Sequence, residues 1–181
     1  QRTPTAQWTV TGSGAIVLEK QENPGVKVKQ ATVGKIVDLG IKDANNMGAA
    51  MAPAAAKTMQ SFFEDTKTHP SEYDMIFTGD LGEVGSNLFK ELMLKDGFRI
   101  GDNYNDCGLM IYQKEVQDVH AGGSGCGCSA SVLCSLILRN LKVKKWKNVL
   151  FMATGALMSP TSSQQGETIP GVAHLINLVS D

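Results

Sequence analysis

Two hydrophobic periods alternate along the chain. Residues 8–19 and 26–38 are rich in β-branched side chains and read as strands, although Gly12 and Gly14 weaken the first. Asn23-Pro24-Gly25 between them is a turn signal, so the pair is expected to form a hairpin. At about 51–66 the period becomes helical, with Met51, Ala55, Met59, Phe62 and Phe63 on one face. Pro53 fits only the first turn of such a helix, which sets its start close by. Residues 73–78 read as a short buried strand, broken by Gly79-Asp80-Leu81-Gly82. A second helix is expected at about 84–96, with Val84, Leu88 and Leu92 in line and Gly97 as its stop. Residues 101–107 are polar loop, and the apolar segment 107–112 fits helix or strand equally. The glycine-rich stretch 122–127 opens a third helix at about 128–141, its buried face marked by Ala130, Leu133, Cys134, Ile137 and Leu141. Lys142 to Lys147, with Trp146, reads as a solvated basic turn, and 149–154 and 173–179 as the last strands.

The order β-β-α-β-α, an undecided segment, then α-β-β argues for an α/β fold, a central sheet flanked by helices. No linker or short repeat splits the 181 residues, which suit one domain. The longest apolar run, 149–153, is five residues, against about 20 for a membrane-spanning helix. The first residues lack the pattern of a secretory signal. A start at Gln1 rather than methionine suggests a piece of something longer.

Charge narrows the partners. Seventeen lysines and arginines against 18 aspartates and glutamates give a net charge of -1, without the basic excess of a nucleic-acid binder. Four cysteines, Cys107, Cys126, Cys128 and Cys134, come with no sign of an oxidising compartment. Cys126 and Cys128 are too close for an ordinary disulfide, and a second zinc-type pair is missing, so no metal site is read.

Ligands of open α/β sheets gather outside the carboxyl ends of the strands. Three stretches qualify: Thr78 to Gly82, the glycine-rich 122–129, and Ala153 to Leu157. In the second, glycines at a helix start would let backbone N–H groups meet an anion, and Cys126 or Cys128 there could gain nucleophilic character. The same small residues would equally serve tight helix packing. Asp80 is the best acidic candidate, or else a cap for the following helix. His120 is a candidate general base or a structural side chain, His69 looks like loop, and His174 reads as a satisfied core residue.

Longer strings carry a resemblance. TVTGSGAIVL (9–18), ATVGKIVDLGI (31–41), MGAAMAPAAA (47–56), NDCGLMIY (105–112), AGGSGCGCSA (121–130) and ATGALMSP (153–160) resemble the stage V sporulation protein AD family, in order and over nearly the whole chain. That family is similar to thiolases and β-ketoacyl synthases, whose fold is a duplicated, layered α-β-α unit. The resemblance implies that 1–181 is one thiolase-like C-terminal domain, with the N-terminal half absent.

It also implies a chemistry. Gly79 or Asp80 falls where condensing enzymes carry a histidine and thiolases an asparagine. Cys126 falls where thiolases carry a histidine, and Thr154-Gly155-Ala156 where relatives carry a cysteine- or glycine-rich loop. The histidines that activate a nucleophile are therefore missing, which puts acyl transfer in doubt. The family implies instead a non-catalytic binder of dipicolinic acid (pyridine-2,6-dicarboxylate), alone or with calcium, that supports its uptake into the developing spore. The expected ligand-binding residues are Gly79, Asp80, Gly125, Cys126, Gly127, Cys128, Thr154 and Gly155, with no cofactor. The expected setting is the spore, peripheral to the inner membrane, among other stage V sporulation membrane proteins. An isolated half should expose an apolar face and self-associate, for instance as a homodimer. The alternatives are an acyltransferase of the thiolase type and a scaffold subunit of a spore membrane complex.

Overall fold

The computed structural model describes residues 2–20, 22 and 25–180. Along the chain lie β1 (Trp8–Thr9), β2 (Lys27–Thr32), α1 (Met47–Thr66), β3 (Met75–Thr78), α2 (Gly82–Lys95), β4 (Tyr104–Asp106), α3 (Cys107–Met110) and β5 (Gly123–Ser124). Then come α4 (Cys126–Val132), α5 (Leu138–Lys142), β6 (Asn148–Ala156), α6 (Pro160–Gln164) and β7 (Gly171–Val179). Five strands form one mixed sheet in the order β2-β7-β6-β3-β4, parallel from β6 to β4 and antiparallel from β2 to β6.

Alternation along the strands sorts side chains to two faces. Ile76, Leu150, Met152 and Leu175 join Met59, Phe62, Phe63, Phe89 and Met93 in a core beneath α1 and α2. Phe77, Val149, Phe151 and Leu178 join Cys128, Val132, Ile137 and Leu141 beneath α4 and α5. The mixed sheet flanked by helices agrees with the expected α/β fold.

Several local expectations are corrected. The hairpin does not form: β2 pairs with β7, and β1 keeps two residues, paired in parallel with β5. Of the expected turn, Asn23 and Pro24 lie outside the described residues. Residues 11–20 are exposed and carry no strand pairing; Val17 is 88% and Leu18 83% exposed. Glycine explains the departure. A methyl group on Gly12 would lie 2.5 Å from Ser131 Oγ, and one on Gly14 2.6 Å from the Ala130 carbonyl. The chain is drawn against α4 instead of a neighbouring strand.

Helix α1 starts at Met47, capped by Asn46, whose side chain accepts from Ala49 N–H. Pro53 therefore sits in the helix interior, where it leaves the Ala49 carbonyl without its helical donor. In α2 the buried row is Gly85, Ser86, Phe89 and Met93, while Val84, Leu88 and Leu92 lie at its margin. Gly85 meets the backbone of Gly48, so α1 and α2 cross closely there and turn the row. The polar loop hides β4, and the undecided segment after it begins as the short helix α3. The third helix begins at Cys126 and contains a π-helical insertion at Leu133–Ile137. Its buried side chains are those of Cys128, Val132, Ile137 and Leu141, with a five-residue step across the insertion. Ala130 and Cys134 consequently face residues 14 and 15 rather than the sheet. The basic turn is solvated at its lysines, but Trp146 packs on Phe77 with ring centroids 5.5 Å apart.

Candidate functional site

Register places the site. β3 and β6 run parallel with Thr78 opposite Met152, which brings Asp80 level with Thr154. Asp80 is buried. Its Oδ1 accepts from Thr154 Oγ1 at 2.7 Å and its Oδ2 from the Gly125 N–H at 2.7 Å. Its own N–H donates to Thr154 Oγ1 at 3.0 Å. Gln7 Nε2 donates to the Asp80 carbonyl at 2.9 Å and to that of Gly123 at 2.8 Å. The three stretches singled out in the sequence thus meet at one carboxylate.

Gly79, Asp80, Gly125, Cys128 and Thr154 are brought together. Gly79 fits against Ser129 and Thr154, and the Cys128 thiol points at the Gly79 carbonyl, 3.9 Å away. Cys126 stands exposed beside Gly125 at the helix start. Gly127 faces the backbone of Gly12 and Val10, so its small size serves the N-terminal segment. Gly155 lies against Val172 of β7.

Asp80 is not a helix cap. The N–H groups at the start of α2, those of Leu81 just before it and of Gly82, donate to Asp106 at 2.9 Å each. Asp106 is fully buried at the end of β4, and its oxygens also accept from Thr78 Oγ1 at 2.6 Å and Gly108 N–H at 3.0 Å. Sequence reasoning missed this residue. The available signal was an aspartate two positions before a glycine at the start of an apolar turn, an N-cap pattern. Tyr104 Oη completes the network, 2.8 Å from Thr78 Oγ1 and 3.1 Å from Ser86 Oγ.

Burial governs the titration of these groups. Desolvation raises the Asp80 carboxyl above its ordinary value, against the pull of the Gly125 and Thr154 hydrogen bonds. Desolvation also pushes Asp106 up to about 6, opposed by Thr78, Gly82 and Leu81 and assisted by the charge of Asp80. Burial, then the charges of Asp80 and Asp106, push the Cys128 thiol up to about 12, and burial raises Cys107 as well. A thiol held protonated at neutral pH is a poor nucleophile. Both ring nitrogens of His120 are engaged, Nδ1 with the Thr3 carbonyl at 2.7 Å and Nε2 with Asp118 Oδ1 at 2.9 Å. Among the described residues no histidine is hydrogen-bonded to a cysteine thiol. His69 is exposed loop beside Phe98, as expected. His174 is exposed on β7 rather than in the core, because its position alternates outward; its Nδ1 accepts from the Gly34 N–H at 3.1 Å. No group of three or more His, Cys, Asp or Glu side chains among the described residues could hold a metal ion. No helix among them is long and apolar enough to cross a membrane.

Fold and site together define a layered α/β protein whose loops are tied at the carboxyl edge of the sheet around one buried acid. The family model described as Stage V sporulation protein AD (SpoVAD) matches residues 1–179. The chain is 50% identical over 175 residues to the Stage V sporulation protein AD of Bacillus subtilis (strain 168), covering 96% of this chain and 51% of that protein. The chain belongs to the stage V sporulation protein AD family, a family of sporulation proteins. It spans about half the length of the relative it matches.

Proposed function

We propose that this chain supplies one face of a non-catalytic site for dipicolinic acid, in a protein that supports uptake of that molecule into the developing spore. The observation that carries the reading is the Asp80 clasp, which ties three loops at the sheet edge where α/β proteins hold ligands. The clasp fixes the start of α4, where Cys128 N–H donates to the Gly125 carbonyl and the N–H groups of Cys126 and Gly127 begin the helix. The Cys126 N–H, at the exposed side of that helix start, suits a carboxylate of a planar dianion. Asp80 itself repels a dianion, and a calcium ion bound with the ligand would offset that repulsion. The protonated thiol of Cys128 and the occupied ring of His120 weigh against acyl transfer. The protein would act in the spore, peripheral to the inner membrane, by docking on other stage V sporulation membrane proteins. The exposed side chains of Val17 and Leu18 offer a surface for such contacts or for a homodimer.

The test is calorimetric titration of pyridine-2,6-dicarboxylate into the whole protein, with and without calcium. Binding is expected and, with calcium present to offset the charge of Asp80, is weakened about tenfold or more in Asp80→Asn, which loses one acceptor of the clasp. Absence of heat from a folded protein under both conditions overturns the reading.

A further inference from the structure

We infer that Asp106 is the positioning residue of this site: one buried carboxylate that grips the loop on both flanks of Asp80. The inference rests on the reading of the Asp80 clasp as the ligand site. Before Asp80, the Thr78 hydroxyl donates to Asp106 Oδ2 at 2.6 Å. After it, the N–H groups of Leu81 and Gly82 donate to Oδ2 and Oδ1. A helix cap would need only the second pair, and an exposed side chain could provide it at less desolvation cost. Asp106 is fully buried and takes both sets, with Gly108 N–H as the fourth donor. Behind it, Tyr104 Oη links Thr78 to Ser86 of α2 and locks the hydroxyl in place. With the Thr78 side chain and the backbone at 81 and 82 held, and Gln7 holding the Asp80 carbonyl, the Asp80 side chain is delivered onto Gly125 and Thr154. Asp106 does not touch those two residues; it acts through Asp80.

The readout is amide hydrogen exchange in the whole protein without ligand, at Gly125, whose N–H donates to Asp80, and at Leu150 in the core strand β6. Asp106→Asn and Thr78→Val are expected to speed exchange at Gly125 about tenfold, as Asp80→Asn does, and to leave Leu150 unchanged. Thr78→Ser, which keeps the hydroxyl, should restore the wild-type rate. Asp106→Asn combined with Asp80→Asn should be no faster than Asp80→Asn alone. Unchanged exchange at Gly125 in a folded variant overturns the inference, as does equal acceleration at Leu150 or additivity in the double variant. Should Asp106→Asn fail to fold, Thr78→Val and Thr78→Ser decide the question. Because no ligand enters the measurement, its outcome stands apart from that of the dipicolinate titration.

Discussion

Gly79→Ala probes the packing on which the clasp depends. A methyl group there would lie 2.7 Å from Ser129 Oγ, 2.8 Å from Thr154 Oγ1 and 3.0 Å from Thr154 N. Ser129 can rotate away, but the Thr154 nitrogen is held in β6, and the Thr154 hydroxyl is fixed by its two bonds to Asp80. Either the strand ends separate, at about 1–3 kcal/mol for overpacking, or Thr154 turns and gives up both bonds, at about 1 kcal/mol each. Either route leads to a loss of about 1–3 kcal/mol, centred near 2. With a urea slope of about 2 kcal/mol per molar, the midpoint should fall by roughly 1 M. Urea unfolding followed by circular dichroism measures this. Gly25→Ala is the control, since nothing lies within 4 Å of a methyl group at that exposed position. A Gly79→Ala midpoint equal to that of Gly25→Ala would show that the contacts at Gly79 are slack and that the clasp does not depend on them.

Three further outcomes are expected. Asp106 and Asp80 both titrate above the ordinary 3.8 in the folded chain, so the native state holds more protons than the unfolded one at mildly acid pH. The stability contributed by Asp106 is complete below about pH 4 and lost as pH rises through about 6, and its displacement from 3.8 to about 6 is worth about 3 kcal/mol; Asp80, raised in the same direction, adds to the fall. Urea midpoints taken between pH 4 and 7.5 should show this fall, flatter in Asp106→Asn, and an equal slope in both proteins contradicts it. Cys126, being exposed, should react first with a maleimide, whereas buried Cys107 and Cys128 should resist until the chain unfolds; peptide mass mapping after brief labelling locates the adducts, and rapid modification of Cys128 would refute its placement. Pro53→Ala should raise stability by about 1–3 kcal/mol, because it restores the helical donor to the Ala49 carbonyl; a loss of stability in a melting experiment would mean that the proline is favoured for its rigidity.

Much of the layered architecture was legible because burial leaves a periodic trace. β3, β6 and β7 are apolar runs of strand length, and α1 carries its core residues at helical spacing over 20 residues. What failed was partner choice and local geometry. The strand-like 8–19 has the right residue types, yet Gly12 and Gly14 pull it onto a helix, a contact that lies 119 residues away in sequence at Cys134. The π-helical step between Val132 and Ile137 breaks the 3.6-residue count that picked Ala130 and Cys134 as core. The three loops of the site were legible from glycines at strand ends and a helix start, and five of the eight residues do meet there. Asp106 stayed hidden because its role depends on donors from two other segments, which no local pattern in 101–107 records.

The clasp also bears on the order in which the chain folds. Gln7 reaches across 73 residues to Asp80 and 116 to Gly123, while Asp80 reaches 74 to Thr154 and 45 to Gly125. Each of these bonds closes a long loop, and none can reward the chain until the sheet between them exists. Helix α1 and its packing on α2 involve near neighbours in sequence and can form early. The site is then a late event, completed when residues 6–10 dock against the glycine-rich loop. A folding chain would carry a formed sheet and an open clasp until that docking occurs, and residues 6–10 would be the last part of the clasp gained and the first released.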